Sequence, residues 1–157
     1  MHVKRMSLVT MRGATVGRIS LGVQGHGTID MVDWDIYLDT LKQEDVSRSI
    51  VYIGSPKQLT SEMRDKLFDV AKHVSAKPTI AVVTPSPIAA KFASALAVMK
   101  SHLVDMAVYH CGQVEQALQH VRLTQSERLT VCPVLDGYSA EMGLGRVFQR
   151  PQIGLAT

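Results

Sequence analysis

The side chains of this chain that could do chemistry are six histidines, two cysteines and a group of aspartates, and their spacing argues against most of it. A zinc site needs ligands delivered to one point, usually by pairs one helical turn or a few residues apart. His2, His26, His73, His102, His110 and His120 form no such pair, Cys111 and Cys132 belong to no C-x-x-C motif, and no metal or other cofactor is expected. His110 beside Cys111 suggests a thiol activated by imidazole, but neighbours on a strand point to opposite faces, so a core cysteine and a strand-end histidine are expected instead. Asp35 and Asp39 share a helical face opposite Trp34 and Leu41, and together with Asp33 they read as solvated carboxylates rather than an acid/base pair. Without a G-x-S-x-G elbow, Ser55, Ser61, Ser86 and Ser94 lack the setting of a nucleophile.

Two glycine loops invite a phosphate reading. Gly22-Val23-Gln24-Gly25-His26-Gly27-Thr28 follows a strand and precedes a helix, but it matches neither the dinucleotide spacing nor the P-loop, whose Lys-Ser/Thr pair is missing. A flexible connection is expected there. Gly54-Ser55-Pro56-Lys57 loses one of the amides such a loop needs to Pro56. Thr60 and Ser61 stand where a helix starts, just past a buried strand. Capping is the expected role of one of them, and a phosphate at this point would gain from free amides and the helix dipole while sitting near Glu62.

The elements that must position these residues emerge from periodicity. Residues 7–11 and 15–21 alternate apolar and polar around Arg12-Gly13, which predicts an opening hairpin with its turn at that glycine. After a glycine-rich link, Asp30 caps a helix whose apolar positions are Trp34, Tyr37 or Leu38, and Leu41. Residues 49–54, 79–84 and 106–111 read as buried strands. Helices are expected over about 60–74, with Met63, Leu67, Val70, Ala71 and Val74 inward, over 87–99 with Ser86 as cap, and over 113–121. The expected architecture is α/β: a single mixed sheet of about five strands, an antiparallel hairpin followed by parallel strands, with about four helices. It occupies residues 1–123. Residues 124–157 read as a C-terminal extension, partly irregular, in which 129–134 could add a sixth strand and Gly137, Gly143, Gly145 and Pro151 break up the remaining pattern.

Bulk composition narrows the function classes. With 157 residues, 46% hydrophobic and 20% charged, the chain suits one globular domain with a substantial core. A net charge of +3 with dispersed cations argues against nucleic acid. The N-terminal residues lack the apolar stretch of a signal peptide, and the apolar helix at 87–99 is broken by Lys91 and Ser94 and too short to span a bilayer, so a cytoplasmic protein with reduced thiols is expected.

The hairpin, Gly27-Thr28 before the first helix, Trp34 within it, the strand Ile50-Val51-Tyr52-Ile53, Ile80-Ala81-Val82-Val83-Thr84 before an alanine-rich helix, the strand at 106–111 and Gln113-Val114-Glu115-Gln116-Ala117-Leu118 together cover about residues 7–122. In this order they resemble the SpoIIAA-like branch of the STAS superfamily, whose relatives include bacterial anti-anti-sigma factors and whose fold is also compared with the CRAL-TRIO lipid-transfer domain. The resemblance implies a non-enzymatic regulatory or protein-interaction module in bacterial signalling, with a protein partner or self-association. Anti-anti-sigma factors are phosphorylated on a serine in an Asp-Ser-Ser-Gly-like segment. The matching segment here, Leu59-Thr60-Ser61-Glu62-Met63, lacks the Asp and Gly and leaves Thr60 and Ser61 as positional candidates. The family's apolar cleft implies a second reading, a binder or carrier of a small lipid-like ligand, in which Trp34, Met63, Phe92 and Met99 line the cleft or fill the core. The methionine content of eight suits an adaptable pocket. A third reading, an enzyme with its site at the carboxyl ends of the parallel strands, draws only on where α/β folds place ligands.

Overall fold

The central strands are apolar at successive positions, so both of their faces need cover, and helices supply it on each side. A computed structural model describes residues 9–25, 27–54, 60–74, 77–85, 87, 91, 102–145 and 147–148. Its elements are β1 (Met11–Val16), β2 (Ile19–Gln24), α1 (Met31–Lys42), β3 (Arg48–Ile53), α2 (Ser61–His73), β4 (Thr79–Thr84), β5 (Asp105–His110), a 3-10 turn (Cys111–Gln113), α3 (Val114–His120) and α4 (Gln125–Glu141). One mixed sheet runs β1-β2-β3-β4-β5, with β1 antiparallel to β2 and the remaining neighbours parallel. On one face, Val51, Ile53, Ile80 and Val82 pack with Trp34, Tyr37, Leu38 and Leu41 of α1 and Met63 and Phe68 of α2. On the other, Leu21, Val23, Ile50, Tyr52, Ala81 and Val83 meet Val114 and Leu118 of α3 and Val131 and Leu135 of α4.

Two sequence expectations are corrected. The hairpin turn lies at Gly17-Arg18 rather than Arg12-Gly13, with Val16 opposite Ile19 and Gly17 at φ 59°. A positive φ at the first of two loop positions is what a tight hairpin needs from glycine. Residues 129–134 are not a strand: they lie within α4, as does Gly137. Thr124 opens this helix with a capping box, its hydroxyl accepting from the Glu127 amide while the Glu127 carboxylate accepts from the Thr124 amide. Ser86, Phe92 and Met99 lie outside the described residues, as does most of the helix expected at 87–99.

Gly13 is instead a seat for α1. It pairs with Gly22 across the hairpin. A Cβ on Gly13 would stand 2.8 Å from the Tyr37 Cα, and one on Gly22 would stand 2.8 Å from the Tyr37 ring. The Tyr37 hydroxyl then reaches across β2 to Ser49 Oγ at 2.8 Å. Ser49 donates onward to Ser20 at 3.3 Å, Ser20 bonds Thr40, and Thr40 donates to the Tyr37 carbonyl. Four buried hydroxyls therefore form one ring of hydrogen bonds that begins and ends at Tyr37. Burial pushes the Tyr37 phenol up to about 12, against the smaller opposing effect of its bond to Ser49.

On the opposite face α4 is tied to the sheet by a fork. Arg48 at the start of β3 donates to both Glu127 oxygens, at 3.0 and 2.6 Å, and to the carbonyls of Val121 and Arg122 where α3 ends. These bonds, Arg48 foremost and then the Thr124 amide, draw the Glu127 carboxyl down to about 2. Its contribution is complete above the ordinary glutamate value and is lost as pH falls toward 2.

Gly13→Ala should lower unfolding stability by about 1–3 kcal/mol in urea titration, because helix backbone must move. Gly137→Ala, on the exposed side of α4 with open space around it, should raise stability by about 0.5–1 kcal/mol. Glu127→Gln should cost about 1–2 kcal/mol at neutral pH and flatten the acid limb of stability below about pH 5, measured by thermal unfolding across pH.

Candidate functional site

Four places bring functional groups together. At the carboxyl ends of the parallel strands, Gln24 and Thr84 are buried, and the Gln24 side-chain amide donates to the Gly27 carbonyl at 3.0 Å, closing the loop after β2. Cys111 comes directly after β5, with its thiol 3.9 Å from the Tyr52 hydroxyl. Burial pushes the thiol upward despite the opposing bond to Tyr52, and burial pushes the Tyr52 phenol upward too. That is the reverse of an activated thiol. His110 turns elsewhere: its Nδ1 accepts from the Gly112 amide at 3.1 Å, so the ring caps the 3-10 turn. The strand order also bears on this end of the sheet. It rises without reversal from β2 to β5, so the described parallel strands have no switch point of the kind that opens a ligand crevice in α/β sheets.

The C-terminal segment closes over this end. Past α4 the backbone takes positive φ at Gly143 and Gly145, and Phe148, only 4% exposed, sets its ring edge-on to Tyr52 with centroids 6.4 Å apart. The Phe148 amide donates to Asp136 Oδ1 at 2.7 Å, while Asp136 Oδ2, also buried, has no hydrogen-bond partner among the described residues. Burying the ring is worth about 1.5–3 kcal/mol and the charge-assisted bond a similar amount.

The second place is the seam between α1 and α2. Trp34 and Met63, expected to line a cleft or fill the core, are both buried and meet directly: the indole N–H donates to the Met63 carbonyl at 3.0 Å. The first turn of α2 needs its amides capped, and Thr60 Oγ1 does this by accepting from the Met63 amide at 3.2 Å. Beneath lies a cavity of about 40 Å³, lined by Trp34, Tyr37, Val51, Leu67, Phe68 and Ile80 among others. Phe68 did not stand out in the sequence because Leu67 competes with it for the inward position. Ser61 is exposed, and its Oγ accepts from the Arg64 guanidinium at 3.0 Å.

The third is the outer face of α1. Val32 is 66% and Ile36 48% exposed, one turn apart. Beside them Asp35 pairs with Lys66 at 3.1 Å and Asp39 with Lys42 at 3.3 Å, while Asp33 accepts from the Thr10 amide and hydroxyl. The carboxylates of this helix thus serve pairing and positioning. The fourth is an open hollow of about 960 Å³ at the amino ends of the strands, where Arg18, Lys42 and His73 mix with Glu44, Asp45 and Asp69. Neither sign of charge prevails there. Among the described residues no group of three His, Cys, Asp or Glu converges as metal ligands, and no helix is long and apolar enough to cross a membrane.

Trp34 is the sole tryptophan, so its fluorescence reports the seam. Trp34→Phe should cost about 1–2 kcal/mol through the lost indole bond to Met63 and the buried volume left unfilled, read in urea unfolding by circular dichroism. Comparison with known proteins gives no match: no family model, no curated protein and no solved structure is significantly similar to this chain.

Proposed function

We propose that this chain is a non-enzymatic, STAS-like module of the SpoIIAA-like kind that works in the bacterial cytoplasm, in signalling or regulation, by binding another protein. The observation that carries this reading is the apolar pair Val32 and Ile36 on the outer face of α1. The inner face of that helix is already occupied by Trp34, Tyr37, Leu38 and Leu41, so the outward pair adds nothing to the core. Single exposed apolar residues are ordinary, but two stacked one turn apart and rimmed by ion pairs have the layout of a small interface with a polar margin. The order of elements, a hairpin followed by parallel strands joined through α1 and α2, agrees with the family resemblance. Ser61 supports a regulated version of this role, because a phosphate there would meet the amides of α2 and the Arg64 guanidinium.

The apolar cavity beside Trp34 favours a second reading, binding of a small apolar ligand. At about 40 Å³ it takes no more than a methyl-sized group, so a lipid chain would need α2 to shift away from the sheet. Titration with fatty acids, followed by Trp34 emission and native mass spectrometry, tests this reading. An unchanged spectrum and bare polypeptide would remove it.

Val32→Ser with Ile36→Ser should leave stability within about 0.5 kcal/mol of the parent yet abolish recovery of the partner in pull-downs from native lysate at several salt concentrations. Sedimentation of the purified chain separates self-association from a different partner. Equal recovery by the parent and the double variant would overturn the assignment of this face.

A further inference from the structure

Phe148 is held like a docked peptide side chain rather than like a residue of a regular element. It sits in no helix or strand, comes after two positive-φ glycines, and among the described residues it is fastened by its backbone amide to Asp136 and by its ring, which meets Tyr52 at the edge of the core that α3 and α4 cover. Asp136 is 5% exposed, and a carboxylate so buried is normally satisfied at both oxygens, but among the described residues only Oδ1 is used. An extended segment presenting a second donor would satisfy both. The seat lies at the carboxyl end of β3, on the face covered by α3 and α4 and next to the Cys111 thiol.

We infer that Asp136 and Tyr52 form a peptide-binding seat, that Phe148, reached through Gly143 and Gly145, is its built-in competitor, and that the outside ligand is an extended peptide segment carrying a buried aromatic side chain and two donors for the Asp136 carboxylate. The strap opens about Gly143 and Gly145 while the sheet and α4 stay folded. This inference does not rest on the α1 face, which belongs to the other side of the sheet. Local opening of this kind is governed by its own free energy, separate from global unfolding.

The test uses the full chain and a synthetic peptide of residues 143–157. In the parent protein the Phe148 amide should exchange its hydrogen at least about a hundredfold faster than the Val82 amide of β4, as expected of a subglobal opening. In full-length Phe148→Ala, Cys111 should react with a thiol reagent about tenfold faster than in the parent, with the labelled cysteine identified by mass spectrometry. The added peptide should bind this variant, seen by fluorescence anisotropy, and restore slow labelling. Asp136→Ala should weaken that binding, and Val32→Ser with Ile36→Ser should leave it unchanged. Equal exchange at Phe148 and Val82 would overturn the proposal by making the segment part of the core, and so would a folded Phe148→Ala chain that ignores the peptide. If Phe148→Ala does not fold, the exchange measurement on the parent decides.

Discussion

The closed ring of hydroxyls through Tyr37, Ser49, Ser20 and Thr40 is the constraint around which the rest of the molecule is arranged. It joins three elements at once. Ser20 and Ser49 are register partners on β2 and β3, and Tyr37 and Thr40 are one turn apart on α1. A slip of either strand by one residue would turn its serine to the opposite face and leave buried hydroxyls without partners, so the ring specifies register as well as helix position. The glycines beneath Tyr37 complete the device, since only bare backbone lets the helix come close enough for its phenol to pass over β2.

The two faces of the sheet are secured by different physics. On the α1 and α2 face, the covering helices lie in the chain between the strands they cover, the polar groups of the ring are neutral, and one partly exposed ion pair, Asp35 with Lys66, joins the two helices. On the other face, α4 is held by charge across long separations, through the Arg48 fork on Glu127 and through Arg12 on Glu141 at 3.1 Å. The second pair is exposed on both sides and contributes little. The first is forked, half-buried and shared with the carbonyls that end α3, so it aligns the start of α4 against the sheet.

How much of this was legible depended on the range of the interaction. The strand at 79–84 stood out because an unbroken apolar run bounded by prolines has one reading. The hairpin was visible, but two glycines competed for its turn. Only the contact with Tyr37, distant in sequence, explains why Gly13 is a strand residue and Gly17 the corner. Residues 129–134 are apolar enough for a strand and carry Pro133, yet Thr124-x-x-Glu127 was a helix-start signal standing in plain view. The cap at Thr60 and the inward placing of Trp34 and Met63 were accessible from local pattern, but not the bond between the last two. The Ser20–Ser49 pairing and the fastening of Phe148 to Asp136 were not, because nothing near a serine or an aspartate in the chain announces a partner on another element.

The sheet adds its strands in the order in which the chain is made. Each new strand finds its neighbour already present as an edge, and α1 and α2 cover their face as they emerge. Among the described residues, the other face gains no helical cover before β5. Leu21, Val23, Ile50, Tyr52, Ala81 and Val83 must wait for α3, α4 and Phe148, all of which come after β5. During synthesis the growing chain therefore carries an uncovered apolar surface until its last third appears, the kind of surface that aggregates or recruits chaperones. The late C-terminal elements thus limit how long that exposure lasts.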